Sequence, residues 1–479
     1  MRNFIPTSLK TALLLAAAAI LSFSCSKDDD QDYTFVFASP ALYFNFGGTQ
    51  TITYTYSSNI RNISISSKPE GWRAEVNTST RTVTVTAPAS LDSYPSEEDA
   101  DKTVKPVSYG TVMLRGDVGD KSASASLYVS LGDVADLSGK YANSFVISKP
   151  ATGYQISASR PDGSAVTGIE SVDVVWTSDR YLIRYVDYKN GKITFSTNDD
   201  NEAVLKEGNA LLGAYDADGN ILWCWHLWVT AADPETNAAQ INGHTFMGCN
   251  LGAFGNSTGN NDEILASYGL YYQWGRPTPF PRPRFYNCAD SSSQYIYDPK
   301  VSMVSMAVEE CDNSNIQIGA AIASPLVFIT GVEKPWQGAN GPTWRDDVKS
   351  VYDPCPAGWR VPQSNVFAGL TIDPAELTGD MSALRKAYGW TLTDGVQSAF
   401  FFAGGRRSYV DGAVINMNTQ ETPQPWEGFY WTSSVDASQK SAAGLFFDLN
   451  TVSADGSSIM TARSLQLSNG LQVRCVREQ

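Results

Sequence analysis

From Tyr33 onward the chain alternates apolar and polar residues with a period of two. Thr51-Ile52-Thr53-Tyr54-Thr55-Tyr56 puts Ile52, Tyr54 and Tyr56 on one face, and Arg81-Thr82-Val83-Thr84-Val85-Thr86 does the same with Val83 and Val85. Residues 122–129 repeat the rhythm. Successive strand side chains point to opposite faces, so this pattern predicts half-buried strands. Several of them within about 100 residues predict an Ig-like β-sandwich over 33–131. The acidic stretch 92–105 reads as a surface loop.

A second β-sandwich-type segment, 132–232, continues through 141–150, 172–176 and 181–186. Asn190-Gly191 before Ile193 is a two-residue hairpin signal. Asp216-Ala217-Asp218-Gly219 starts like a calcium loop but lacks the remaining ligands and the distal Glu, so it predicts a turn. In Ile221-Leu222-Trp223-Cys224-Trp225-His226-Leu227-Trp228-Val229, Leu222, Cys224, His226 and Trp228 share one face. Trp223, Trp225, Leu227 and Val229 share the other. Two large, mostly apolar faces predict a central strand buried on both sides. His226 is then a hydrogen-bonded core histidine and Cys224 a core thiol, with a bridge to Cys249 as the alternative. Asp233-Pro234-Glu235 breaks the strand and opens the last unit, 233–479.

Ahead of these segments, Arg2 and Lys10 flank the start of an apolar run over 12–21, followed by Ser22-Phe23-Ser24-Cys25. A basic start, a short apolar stretch and a small residue before Cys read as a secretory signal, too short to span a bilayer. The pattern resembles a bacterial lipoprotein signal, 1–24, with Cys25 as the lipidated first residue of the mature chain. Phe23 is bulkier than the usual residue there. The tether 25–32, with Asp28-Asp29-Asp30, is similar to those that send bacteroidete-type lipoproteins to the outer face of the outer membrane. The resemblance therefore implies a surface-exposed, lipid-anchored protein whose first partner is outer-membrane lipid, held through Cys25.

Composition narrows the chemistry. A net charge of −15 disfavours nucleic acid as a partner. His226 and His244 are the only histidines and no Cys-x-x-Cys pair occurs, which leaves little for a Cys/His zinc site or histidine catalysis. Apart from Cys25, six cysteines remain, enough for up to three bridges. Cys355 and Cys475 are 120 positions apart. They are either two buried thiols or a bridge tying the middle of the last unit to its end, and the secretory signal favours the bridge.

Several motifs resemble known families. Gly47-Gly48-Thr49-Gln50, Gly71-Trp72-Arg73-Ala74 and Val83-Thr84-Val85 are similar to BACON modules, Ig-like domains named for suspected carbohydrate binding; a spacer role is the plainer implication here. In the last unit Asn250-Leu251-Gly252-Ala253, residues 269–276 ending Gln273-Trp274-Gly275-Arg276, Asp353-Pro354-Cys355-Pro356-Ala357-Gly358-Trp359-Arg360-Val361-Pro362, the run from Gly428 to Ser434, and Val473-Arg474-Cys475-Val476-Arg477 occur in order. This series resembles the major-paralogous-domain family (FISUMP) of surface lipoproteins and fimbrillin-related proteins, except at Cys249, where a polar residue is usual. That family looks like a branch of the C-type-lectin-like fold. The expected architecture is thus mostly β: two Ig-like/β-sandwich modules followed by an α+β C-type-lectin-like domain. The likeness implies a Cys355–Cys475 bridge and makes Trp274, Trp359 and Trp431 structural. Ser364 is expected to cap a short helix burying Val366, Phe367 and Leu370, a second helix is expected over 381–388, and Cys288 and Cys311 are expected to staple an insertion.

Enzymes, sugar-binding lectins and ligand-display domains share that fold, so function must be read from a site. The short-spaced reactive cysteines of the oxidases are missing, and catalysis is not expected. No Glu-Pro-Asn or Trp-Asn-Asp calcium motif appears, so no cofactor is expected and calcium is unsupported. Loops mixing aromatic faces with amides and carboxylates suit recognition of sugars or proteins. The expected contacts are Trp344, Arg345, Asp346, Trp426, Glu427, Tyr430 and Ser434. These features lead to an adhesin or a glycan- or host-ligand receptor, whose partner is a glycan or a host or bacterial surface protein. A pilus tip or accessory subunit, with pilus components as partners, is the alternative.

Overall fold

The computed structural model describes residues 33–479, excepting 97–98, 100, 133, 151, 198–203, 286–293, 333, 335, 337–342, 378–387, 418–425, 439 and 450–458. It is mostly β. The first sandwich comprises β1 (Phe35–Phe37), β2 (Ala41–Phe44), β3 (Thr49–Tyr56), β4 (Arg61–Ser67), β5 (Arg73–Asn77), β6 (Thr82–Thr86), a small exposed hairpin β7 (Tyr94–Pro95) and β8 (Thr103–Val104), β9 (Tyr109–Val118) and β10 (Lys121–Leu131). Its two sheets run β1-β3-β6-β5 and β2-β10-β9-β4. Ile52, Tyr54, Val83, Val85, Ala123, Ala125, Leu127 and Val129 are all buried between them, as the alternation requires. The hairpin falls in the acidic stretch expected to be plain loop.

The second sandwich repeats this plan with β11 (Ala135–Asp136), β12 (Ser144–Ile147), β13 (Gly153–Ser157), β14 (Ser171–Thr177), β15 (Ile183–Lys189), β16 (Lys192–Thr197), β17 (Gly208–Tyr215) and β18 (Ile221–Val229). Its sheets run β11-β13-β16-β15 and β12-β18-β17-β14. In both sandwiches the opening segment serves both sheets in turn, and its second half pairs parallel with the last strand, β2 with β10 and β12 with β18. This is an Ig-like strand order. Asn190 and Gly191 make the β15–β16 turn with φ of 52° and 74°, the left-handed pair that a tight hairpin needs. Asp216 Oδ1 accepts from the N–H groups of Asp218 and Asn220 and so closes the β17–β18 turn.

The sandwiches meet through tyrosines. Tyr43, Tyr109 and Tyr128 of the first pack with Tyr185 of the second. The Tyr43 and Tyr185 hydroxyls hydrogen-bond, and the Arg184 guanidinium lies 4.6 Å from the Tyr128 ring centroid. Burial pushes the Tyr43 and Tyr185 phenols upward, so both stay protonated. Any Cβ at position 153 would collide with the Tyr43 ring, which explains Gly153.

β18 is buried on both faces. Trp223, Trp225, Leu227 and Val229 fill the second sandwich's core. Cys224 and Trp228 face the other way, into a core shared with Trp274, Trp344, Trp359, Trp431 and the Cys355–Cys475 disulfide of the last unit. The β12-β18-β17-β14 sheet also continues into strands Ile296–Tyr297 and Met303–Val304. The change of pattern at 232/233 is therefore no gap in packing. His226 is fully buried: its Nε2–H donates to Asn209 Oδ1 (2.9 Å), and its Nδ1 lies 3.0 Å from Ser144 Oγ. Burial lowers its pKa to about 3, which keeps the ring neutral. Cys224 and Cys249 are separate buried thiols; desolvation raises them to about 12 and about 11.

The head, 233–479, contains short sheets and the short helices α1 (Asn261–Ser267) and α2 (Ile318–Ala323). Its last strand, Val476–Arg477, lies between His244–Phe246 and Trp359–Arg360, so it joins the hairpin Ala239–Ile241/His244–Phe246 that opens the unit. The disulfide closes the same junction. Asp353 organises the turn before it: Oδ1 accepts from Cys355 N–H and Oδ2 from Val361 N–H, each at 2.9 Å. Lys349 Nζ reaches Asp353 Oδ1 (2.6 Å) and the Cys355 and Trp359 carbonyls. β12 and the residue before it seat the turn against the second sandwich. Asn143 Nδ2 donates to the Val351 and Asp353 carbonyls, and Ser144 Oγ to that of Pro354.

Two expectations are corrected. Ser364 begins a 3-10 turn, Ser364–Phe367, that does bury Val366 and Phe367, but Ser364 is not its cap; its own N–H donates to Ser434 Oγ (2.9 Å). Cys311 is a free thiol packed in the shared core, so the staple to Cys288 does not form; Cys288 lies outside the described residues. The helix expected over 381–388 also falls outside them, apart from Tyr388.

The Lys349–Asp353 pair generates a stability prediction. The two side chains are only 9% and 5% exposed, so removing one partner leaves a buried, uncompensated charge. Lys349→Ala is expected to lower unfolding free energy by about 3–5 kcal/mol in a urea titration. Arg345→Ala, which breaks the exposed Arg345–Asp347 pair, should leave the curve in place. Equal, small shifts for both would show that the buried pair carries no such weight.

Candidate functional site

Three fully buried arginines first have to be set aside. Arg474 donates to the Met247 and Gly248 carbonyls and to Asn250 Oδ1. Arg276 donates to the carbonyls of Val327, Ala321 and Pro325, and Arg407 to those of Gly412 and Pro281. Each pins loop backbone with its planar donor set. Desolvation lowers Arg276 to about 9 and Arg407 to about 10.

The same holds for most of the expected contacts. Trp344 is buried 5.7 Å from Trp274 and donates its indole N–H to the Tyr352 carbonyl. Trp426 is buried against Tyr388 and donates to the Ala403 carbonyl. Tyr430 is fully buried, and its hydroxyl donates to the Phe402 carbonyl. These rings are core because their polar tips find backbone acceptors inside. Ser434 is likewise engaged: its hydroxyl donates to Asp346 Oδ1 (2.9 Å) while accepting from Ser364 N–H. Asp346 also accepts from Ser433 Oγ (2.6 Å), so it ties a loop to a strand. Arg345 is spent on Asp347.

Glu427 is different. It opens the strand Glu427–Val435, which pairs with Ser441–Asp448, which in turn pairs with Ile459–Gln466. Glu427 sits directly opposite Asp448, an unfavourable like-charge pair. A register shift between Gly444 and Phe446 accompanies the placement of Arg463, whose guanidinium lies 3.9 Å from the Phe446 ring centroid and 5.9 Å from that of Phe429. Arg406 comes from the two-residue strand Arg406–Arg407. Neighbouring strand side chains diverge, so Arg407 goes inward and Arg406 stays half-buried, 5.4 Å from the Phe429 ring centroid. Arg406 donates to Asn469 Oδ1 and to Asn416 Oδ1. Arg406, Tyr409, Phe429, Arg463, Gln466 and Asn469 line a recess of about 230 Å³.

Desolvation, then the neighbouring Asp448, raise the Glu427 carboxyl to about 7, against the pull of Arg463 and Arg406. The structure thus brings Glu427 within electrostatic reach of Arg406 and Arg463, which sequence reasoning did not select, and separates it from Ser434, which meets Asp346 at the other end of the strand. Among the described residues, no group of three or more His, Cys, Asp and Glu side chains could hold a metal ion. A larger cleft of about 490 Å³ is lined by Arg284, Tyr295, Met303, Met306, Arg407 and Asp411 among others.

No family model matches the chain, and no curated protein does either. Solved structures give distant likenesses. A chimeric titin Z1Z2 carrying an exogenous decorin peptide is 11% identical, with 41% of this chain and 96% of that one covered and a TM-score of 0.14. The D00-D0 domain of intimin is 12% identical over 41% and 96%, with a TM-score of 0.15. An endo-fucoidan hydrolase of glycoside hydrolase family 107 is 11% identical over 44% and 30%, with a TM-score of 0.16. Scores this low carry no argument about the chain.

Glu427 gives a pH prediction. Its carboxyl is about 7 in the fold against an ordinary 4.5, so the folded state holds the proton more tightly. Its contribution to stability is full below about 4.5 and is lost as pH rises through about 7. The slope for one proton stays within about 1.4 kcal/mol per pH unit. Glu427→Gln should therefore gain stability relative to the parent as pH rises from about 5 to 8, read as the difference between two series of urea titrations. A pH-independent difference would place the carboxylate in solvent.

Proposed function

We propose that the protein is a cell-surface lipoprotein, lipid-anchored to the outer membrane through Cys25, whose C-terminal unit is a C-type-lectin-like head of the FISUMP type. The head binds a glycan or a host or bacterial surface protein without catalysis. One observation carries this reading: a recess on the head whose lining combines two guanidinium groups, amides and the half-buried Tyr409, a mixture suited to recognition. Its side chains include no activated nucleophile. The lectin-like assignment is supported by the pairing of the head's last strand with its opening hairpin and by the bridge from the turn before Ser364–Phe367 to Cys475 beside that last strand. The two sandwiches, the first of BACON type, hold the head away from the anchor. A pilus tip or accessory role is the alternative; against it, among the described residues the strand Val476–Arg477 is paired on both edges and is not itself free to be donated.

Binding of the purified protein to a glycan array and to mucin, with calcium and with EDTA, tests this. Saturable binding that survives EDTA is expected. Silence on every glycan, followed by no capture of a surface protein, would remove the binding reading. Separately, a fatty-acid probe should label the protein in cells and fail to label Cys25→Ala; label retained by that variant would remove the anchor.

A further inference from the structure

The recess holds polar groups that the fold leaves unmatched. The Arg463 side chain makes no hydrogen bond among the described residues; it packs on ring faces, and its guanidinium still carries five donors. Gln466 Oε1, on the same wall, is buried with no hydrogen-bond partner. A buried acceptor without a donor is unfavourable, and such groups are few in folded proteins. Arg406, by contrast, is oriented by Asn416 and Asn469. The Phe429 ring lies beside both guanidiniums.

These groups specify a ligand. Two converging guanidiniums call for an oxyanion, which they bind in a two-donor fork. The orphan acceptor calls for a hydroxyl or N–H donor. The half-buried Tyr409, in the same lining, suits an apolar C–H face. At about 230 Å³ the recess falls below the roughly 300–1,000 Å³ of sites that enclose whole drug-sized ligands. It suits one ring of a longer chain. We infer that this recess is an acidic-sugar subsite, taking the carboxylate- or sulfate-bearing residue of an anionic glycan, with Arg463 and Arg406 on the acidic group and Gln466 accepting from a ring hydroxyl. The inference deepens the binding reading above and rests on it.

Charge balance adds a pH signature. The charged groups around Glu427 are Arg406, Arg463 and the opposing Asp448. Ionised Glu427 competes with the ligand for the guanidiniums. Its protonation, below about 7, leaves them to the acid group, so affinity rises as pH falls from about 8 to 6.

Calorimetric titration of the full chain with methyl glucuronide, glucose 6-sulfate, methyl glucoside, and free acetate and sulfate ions tests the inference. At least one acidic sugar should bind, at least about tenfold more tightly than methyl glucoside and than the free ions. The tighter of the two names the acidic group. Arg463→Gln should weaken that binding at least about tenfold at an unchanged melting temperature. If that variant does not fold, Arg463→Lys, which keeps the charge but lacks the fork, should still weaken it. The inference is overturned by equal binding of methyl glucoside, by a free ion binding as tightly as the sugars, or by an Arg463 variant that binds like the parent. Neutral glycans bound with the acidic ones ignored would leave the general binding reading standing and remove this one; silence toward all glycans would remove both.

Discussion

β18 has no solvent-facing side. Trp223 and Trp225 complete one hydrophobic core, while Cys224 and Trp228 complete another, and the strand's edges are taken by β12 and β17. Most sandwich sheets cover one face and leave the other to water. Here the second face would expose Trp176, Leu211 and Trp228 if the head were absent. The second sandwich and the head therefore depend on each other. The polar contacts agree: Trp228 Nε1 donates to Ala253, Asn209 to Gly252, and Asn143 and Ser144 to the turn at 351–354.

Within the head, charge does structural work that surface chemistry would not suggest. Asp353, Arg276 and Arg474 are each buried among backbone groups. A carboxylate that accepts two N–H groups and a guanidinium that donates to several carbonyls satisfy irregular loop backbone that no sheet can pair. This lets a unit with little helix and short strands bury six tryptophans and two arginines among the chain's largest fully buried side chains.

Much of the fold was legible from pattern. The alternation located the sandwich strands, Asn190-Gly191 located a hairpin, and the two-faced apolar character of 221–229 identified the central strand. These signals are local, since strand period and turn chemistry act over a few residues. The expected ligand residues fared worse for the same reason. Trp344, Trp426 and Tyr430 look like contact residues in a polar loop context, but each indole or phenol has a carbonyl acceptor inside the core. Only burial separates the two cases.

By itself the sequence determined the β character, the rhythm of the two sandwiches and the double burial of β18, because these follow from side-chain periodicity. It left the pairing of its cysteines open. The tertiary structure decided that Cys355 and Cys475 bond while Cys224, Cys249 and Cys311 do not, that 132–232 and the head share a core, and that Glu427 meets Arg406 and Arg463 instead of Asp346. Those outcomes depend on which distant segments are packed together, and that depends on the shape of the whole core, which no local period encodes.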